Sequence, residues 1–210
     1  MYLPSAFNAP DAVAARDLIG AHPFASLISN DACGEPFVTH LPLLLDTSRG
    51  DAAWMLLGHC ALGNPHWRYV QAHPGALVTF QGPHAYLSPA VYPDRARVPS
   101  WNYLAVHCRV EVKLIEASEA KAALLERQIA AYEPAYAAQW RSLDEHFRGE
   151  MLAHIVGLEM AVTELQCKLK LNQHRPESHA ALYAAYSAGN DDERALAAWM
   201  QRLGMKIAPD

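Results

Sequence analysis

Tyr103-Leu104-Ala105-Val106-His107-Cys108-Arg109-Val110-Glu111-Val112-Lys113-Leu114-Ile115 alternates apolar and polar side chains beyond Cys108, with Val110, Val112 and Leu114 on one face. A period of two is the signature of a strand buried on one side. Similar runs flank it. Upstream, Phe24–Ser29 and Phe37–Leu45 enclose Asn30-Asp31-Ala32-Cys33-Gly34-Glu35-Pro36, whose turn residues predict a hairpin. Pro42 cannot donate to a ladder, which predicts an edge or a bulge. Trp54–His59 and Ala76–Phe80 read as further strands, and downstream so does Ile155–Gln166, with Val156, Leu158, Met160 and Val162 on one face.

Helices fall between and after these strands. Residues 10–21 read as helical with Asn8 as cap, and Asn64-Pro65 opens a short helix through Trp67 and Val70. Free N–H groups at such a start attract anions. Ser118–Tyr132 is strongly helical, its apolar face set by Leu125, Ile129 and Tyr132, and Pro134 ends or kinks it. A helical region follows Pro176, and a last helix runs from Asp191 towards Gly204, acidic at its start. Strands with helices inserted, rather than strict alternation, predict an α+β, mainly β chain built as a barrel with helical additions. One domain over residues 1–210 is expected, with a helical C-terminal extension at about 176–204.

With 210 residues and 51% hydrophobic content the chain can bury a substantial core. Its formal charge of -5 and pI near 6.1 oppose a surface built for phosphate backbones, so DNA is a partner that net charge does not support. Cys33, Cys60, Cys108 and Cys167 form no C-x-x-C pair, which predicts reduced, mostly buried thiols. Met1–Phe7 has no cationic region leading into an apolar one, and no stretch approaches the roughly 20 apolar residues of a membrane helix. The expectation is a cytoplasmic protein with no membrane partner.

The chemistry concentrates between Gly58 and Val106. Gly58–Trp67, Gln81–Pro89 and Val98–Tyr103 gather His59, Asn64, Trp67, His84, Tyr86, Trp101, Asn102 and Tyr103, in runs read as three separate turns. Flat rings edged by directional polar groups suit a planar ligand. The histidines, His40 and His107 included, could instead ligate a metal or haem, or satisfy buried backbone groups, and none has the spacing of a known metal site. Trp67 could equally be core. Lys168 and Lys170 share one face of a strand end with Arg175 nearby, a basic cluster able to neutralise a phosphate or simply to be solvated. No P-loop, nucleophile elbow or dinucleotide glycine run occurs.

In order and spacing, Thr39-His40-Leu41-Pro42-Leu43, Gly58-His59 with Asn64-Pro65-His66-Trp67, Gly82-Pro83-His84-Ala85-Tyr86, Val98-Pro99-Ser100-Trp101-Asn102-Tyr103 and Lys168–Arg175 together resemble the PaiB-like family. That family is described as FMN-binding negative transcriptional regulators. The resemblance spans the chain to about Arg175 and implies a split β-barrel of the FMN-binding type, a homodimer, and FMN or a similar flavin between subunits. It implies a flavin site drawn from His40, His59, Asn64, Trp67, His84, Trp101, Asn102, Tyr103, Lys168, Lys170 and Arg175. The output implied is repression or ligand and redox sensing, with flavin-dependent oxidation or reduction of small substrates, or a haem or metal protein, as the alternatives. Lys170-Leu171-Asn172-Gln173-His174-Arg175 departs from the family's Lys-x-Ser-Gln-Asn-Arg run at Asn172 and His174.

Overall fold

The computed structural model describes residues 1–9, 11–48, 50, 53–94 and 96–207. Its elements run α1 (Ala12–Ala21), β1 (Phe24–Asn30), β2 (Pro36–Pro42), β3 (Leu44–Asp46), β4 (Met55–Ala61), α2 (His66–Ala72), β5 (Gly75–Leu87) and β6 (Ser100–Ile115). Then follow α3 (Ser118–Tyr132), α4 (Ala137–Ser142), α5 (Glu145–Ala153), β7 (Ile155–Lys170), α6 (His179–Ser187) and α7 (Asp191–Arg202). The strands form one antiparallel sheet in the order β2-β1-β5-β6-β7-β4-β3. Of the described residues, helix with the 3-10 turns takes 40% and strand 35%.

The chain divides into two compact units, and β5, β6 and β7 each contribute to both. Residues 19–80 and 107–165 make one. Here β1 pairs with β2 from Phe24↔Pro42 to Asn30↔Pro36, and β4 pairs with β7 from Met55↔Ala161 to Ala61↔Ile155. Leu27, Leu56, Val78, Phe80, Cys108, Leu158 and Met160 are among its buried side chains. The other unit holds residues 1–18, 81–106 and those from 166 onward, with Leu18, Leu104, Val106, Leu169, Leu171, Leu182, Leu196 and Met200 buried.

The hairpin forms with the expected turn, and β2 is an outer strand that stops at Pro42. Gly58 sits where β4 passes that stop. A Cβ there would lie 2.5 Å from Leu43 Cδ2 and 3.1 Å from the Pro42 carbonyl oxygen. The cap of α1 is Asp11 rather than Asn8: Asp11 Oδ1 accepts from the N–H groups of Val13 and Ala14 at 3.0 and 3.3 Å, while Asn8 bridges Lys168. Pro10, the expected helix start, lies outside the described residues.

Gly82-Pro83-His84-Ala85-Tyr86 is not a turn. It continues β5, but the alternation changes phase at Gly82-Pro83, both buried: Val78 and Phe80 point inward before them, Ala85 and Leu87 after them, which leaves His84 and Tyr86 outward. Gly82 marks close approach instead, since a Cβ there would meet Leu18 and Leu104 at 3.0–3.2 Å. Similarly, Trp101–Tyr103 lies inside β6, not in a turn before it.

Helix α3 spans the expected residues, but Lys121, Leu124 and Gln128 form its buried face, and Tyr132 is 46% exposed. Polar partners explain this. Lys121 Nζ donates to the carbonyl oxygens of Leu152 and Ile155 at 2.5 and 3.2 Å, so its ammonium closes carbonyls where α5 ends and β7 begins. At the far end, α7 opens on a capping box: Asn190 Oδ1 accepts from Glu193 N at 3.0 Å and Glu193 Oε2 from Asn190 N at 2.8 Å. Gly204, with φ +64°, follows its end.

Candidate functional site

Alternation along β6 determines what Ser100 to Tyr103 can do. Trp101 is 53% exposed, and its ring lies 5.8 Å from that of His84 and 6.3 Å from that of Tyr86, both on the outward side of β5. Asn102 faces the other way and is fully buried. Its Nδ2 donates to Tyr186 Oη at 3.0 Å, and that hydroxyl donates to the Tyr86 carbonyl oxygen at 3.2 Å. Asn102 therefore fastens β6 to α6 rather than joining Trp101. Its Oδ1 is buried without a donor among the described residues. Burial pushes the Tyr186 phenol up to about 12, so it stays a neutral donor.

Tyr103 returns to the outward face, beneath two ammonium groups. Lys168 Nζ lies 5.1 Å and Lys170 Nζ 5.8 Å from its ring centroid, as period two along β7 requires. Lys170 donates to Ser100 Oγ at 2.7 Å and to the Trp101 carbonyl oxygen. Lys168 is only 6% exposed, donating to the Tyr2 carbonyl oxygen at 3.0 Å, with the Tyr2 ring 5.5 Å away. Among the described residues no carboxylate lies within ion-pair distance of either lysine. Burial, then the Lys168 charge, pulls the Lys170 ammonium below its ordinary value.

The chain leaves β7 through Asn172, whose φ of 67° is the left-handed region that asparagine tolerates best after glycine. Its Oδ1 accepts from Tyr92 Oη at 3.1 Å, its Nδ2 donates to Ser178 Oγ at 2.8 Å, and its carbonyl oxygen accepts from His179 Nε2 at 3.1 Å. The departure from the family's run is thus a structural turn. It directs Arg175 into the next 3-10 turn, half-buried, with no described side-chain contact to the lysine pair.

His40, His59, Asn64 and Trp67 belong to the other unit, and each has a partner there. His40 Nδ1 bonds Ser26 Oγ at 3.0 Å and its ring stacks on Phe24. His59 Nδ1 donates to Gln128 Oε1 at 2.8 Å, since an amide oxygen only accepts. Trp67 Nε1 donates to the Leu62 carbonyl oxygen at 3.0 Å, with the Arg68 guanidinium over its ring. Asn64 Oδ1 accepts from His66 N and its Nδ2 donates to Thr39 Oγ1, both at 3.0 Å. One of the N–H groups expected to attract an anion at that helix start, that of His66, is therefore already taken by Asn64.

Sequence reasoning missed the centre of this second network. His66 is 1% exposed, and its ring bonds Thr39 Oγ1 at 2.7 Å and Ser29 Oγ at 2.9 Å. Thr39 and His66 stood in the quoted motifs, but nothing in the sequence marks Ser29. Nor does anything mark Tyr2 as the acceptor for Lys168. Burial pushes His66 below its ordinary value, and pushes the thiols of Cys60 and Cys167 up to about 11 and about 12. Among the described residues no group of three His, Cys, Asp or Glu side chains could hold a metal ion, and no helix is long and apolar enough to cross a membrane.

A long-stranded antiparallel sheet with helical additions is the architecture of split-barrel proteins of the flavin-binding class. Two solved structures share the fold. The flavocytochrome Anf3 from Azotobacter vinelandii aligns with TM-score 0.59 at 16% identity, over 78% of this chain and 69% of that one. The FAD and heme binding protein from Mycobacterium smegmatis aligns with TM-score 0.53 at 18% identity, over 78% and 73%. Residues 1–164 match the family described as "Putative FMN-binding domain", and the chain belongs to that family. It is 34% identical over 180 residues to the protease synthase and sporulation protein PAI 2 of Bacillus subtilis (strain 168), covering 85% of this chain and 84% of that protein.

Proposed function

We propose that the protein binds FMN at the outward face of β6 and the end of β7, and acts as a homodimeric, cytoplasmic, ligand- or redox-sensing negative transcriptional regulator. The observation that carries the flavin reading is the lysine pair. A nearly buried ammonium without a carboxylate is costly to hold unless an anion completes it. Lys168 and Lys170 fit a phosphate in charge and number of free donors. Trp101, His84 and Tyr86 offer a flat surface with a polar edge for the ring. FMN, when bound, supplies the redox chemistry, and these residues hold and orient it.

Exposed Tyr86, Val98 and Trp101 lie in the same unit and support a second copy as their cover. Regulation without a DNA-reading helix of its own is supported by α7, where Arg194 and Arg202 are outnumbered by Asp191, Asp192 and Glu193. Arg194 pairs with Asp191 and Arg202 with Asp17. Titration of FMN by fluorescence quenching, with sedimentation at matched concentrations, tests the reading. Saturable binding at micromolar FMN by a dimer is expected, whereas a monomer that stays colourless and shows no saturable quenching overturns it. Mobility shifts at two salt concentrations test the indirect output. A specific complex that survives added salt would show that the protein reads DNA itself.

A further inference from the structure

We propose that the cleft between α3 and α4 is a binding site for a small apolar carboxylate, separate from the flavin site. The cleft encloses about 410 Å³, within the roughly 300–1,000 Å³ typical of small-molecule pockets. Ala123, Ile129 and Ala130 of α3 give it an apolar wall. Trp140 and Arg141 of α4 close the other side.

Its polar groups are mostly donors. Trp140 is 6% exposed, and its Nε1–H has no acceptor among the described residues. An indole can only donate, so a buried one without an acceptor is an unmet demand for an oxygen. Arg127 lines the cleft and is anchored by Asp46, Nη2 to Oδ2 at 2.7 Å, an arrangement that orients the guanidinium and leaves most of its five N–H donors free. The hydrogen bonds from Ser48 and Arg127 hold the Asp46 carboxyl down to about 2, so that anchor is ionised. Arg141 is exposed at the rim, and Glu126 is the one acidic lining residue.

Three donor-only side chains against one carboxylate select a ligand that brings acceptors and negative charge. The alanine and isoleucine wall selects against a bare inorganic anion, which would lose hydration there without replacement. What remains is an acid with an apolar body, of about the size of benzoate. A carboxylate can take the indole N–H and a guanidinium N–H together, whereas an amine would face like charge.

Benzoate titrated into the full-length protein tests this, read by the indole N–H resonances of its five tryptophans. One resonance, absent from Trp140→Phe, should shift saturably with benzoate and remain still with benzylamine or inorganic phosphate. Trp140→Phe and Arg141→Ala should each weaken benzoate binding about tenfold, the usual scale for one hydrogen bond removed. Ala130→Phe, which fills the cleft from its outer wall, should abolish the shift while FMN titration stays unchanged. Absence of a saturable shift at that resonance, an equal response to benzylamine, or binding that survives Ala130→Phe would overturn the proposal. Arg141→Ala and Ala130→Phe keep the test decisive where Trp140→Phe fails to fold.

Discussion

Two polar clusters in this molecule use the same residue types to opposite ends. In the network of Ser29, Thr39, Asn64 and His66, imidazole and amide groups find partners at 2.7–3.0 Å within their own unit. In the cluster of Trp101, Tyr103, Lys168 and Lys170, two ammonium groups lie over a phenol with no carboxylate and an indole is left half in solvent. The first is complete, and ties α2 to the β1–β2 hairpin. The second has demand that its neighbours leave unmet. Residue types alone therefore do not separate a binding site from scaffold here, whereas the satisfaction of each donor and charge does.

The largest expected effect tests the lysine side of that contrast. Removing both ammonium groups in Lys168→Ala/Lys170→Ala should weaken FMN binding at least about 100-fold, because each charged hydrogen bond contributes roughly 1.5–3 kcal/mol. Asn64→Ala should leave FMN affinity within about twofold, on the same scale of a tenth of that energy. Fluorescence titration of the two variants side by side measures this. Equal losses would erase the distinction between the clusters.

The reverse experiment is nearly as large. His66→Ala removes a buried imidazole with two side-chain hydrogen bonds, and should cost about 2 kcal/mol, or about 4–8 °C in Tm for a chain of this size. FMN affinity of the folded variant should not change. Lys121, a surface cation by its helical context, cannot serve as the neutral control in such a series, because its Nζ closes two buried carbonyls. Lys113, on the exposed side of β6, stands outside both clusters and serves instead.

Much of the framework was legible in the sequence. Period two marked the strands, and the Ser118–Tyr132 helix and the acidic start of the helix at Asp191 were local signals that tertiary structure left alone. Errors arose where Gly and Pro were read as punctuation. Gly82-Pro83 sits within β5 because Leu18 and Leu104 need the space that a side chain would fill. That misreading put His84 in a turn, when it stands on a strand face beside Trp101. The lysine pair was readable because period two alone puts Lys168 and Lys170 on one side. The partition of the eleven candidate residues between two units was not readable, since it depends on where long strands pass from one packed region to the next. Asn102's inward orientation was readable from its alternation with Trp101, and was missed.

A third effect is a pH dependence of stability. Burial lowers His66, and also His107 and His174, below the 6.5 of a free imidazole. The unfolded chain then takes up protons before the folded one does, so their contribution is whole above about pH 6.5 and is lost as pH falls from there towards the folded values. Asp46, lowered from 3.8 to about 2, contributes above about pH 3.8 and fails only below it. Thermal melts from neutral to acid pH should therefore show two separate declines. His66→Gln should flatten the upper one and leave the lower in place, and an unchanged upper slope would remove His66 from this account.

The smallest difference compares two tryptophans. Trp67 donates its indole N–H to the Leu62 carbonyl and carries Arg68 on its ring, so its surface is already used. Trp101 is 53% exposed, and its described ring contacts are a tilted one to His84 and an edge one to Tyr86. Trp101→Ala should weaken FMN binding by about 2- to 10-fold, the roughly 0.5–1.5 kcal/mol of one ring contact, with little change in Tm. Trp67→Ala should do the opposite, lowering Tm and sparing FMN. The pair matters because the substitutions are identical and remove equal area, so the difference isolates whether a ring is already engaged. If Trp67→Ala instead weakened FMN as much as Trp101→Ala, engagement by neighbours would no longer distinguish scaffold from site.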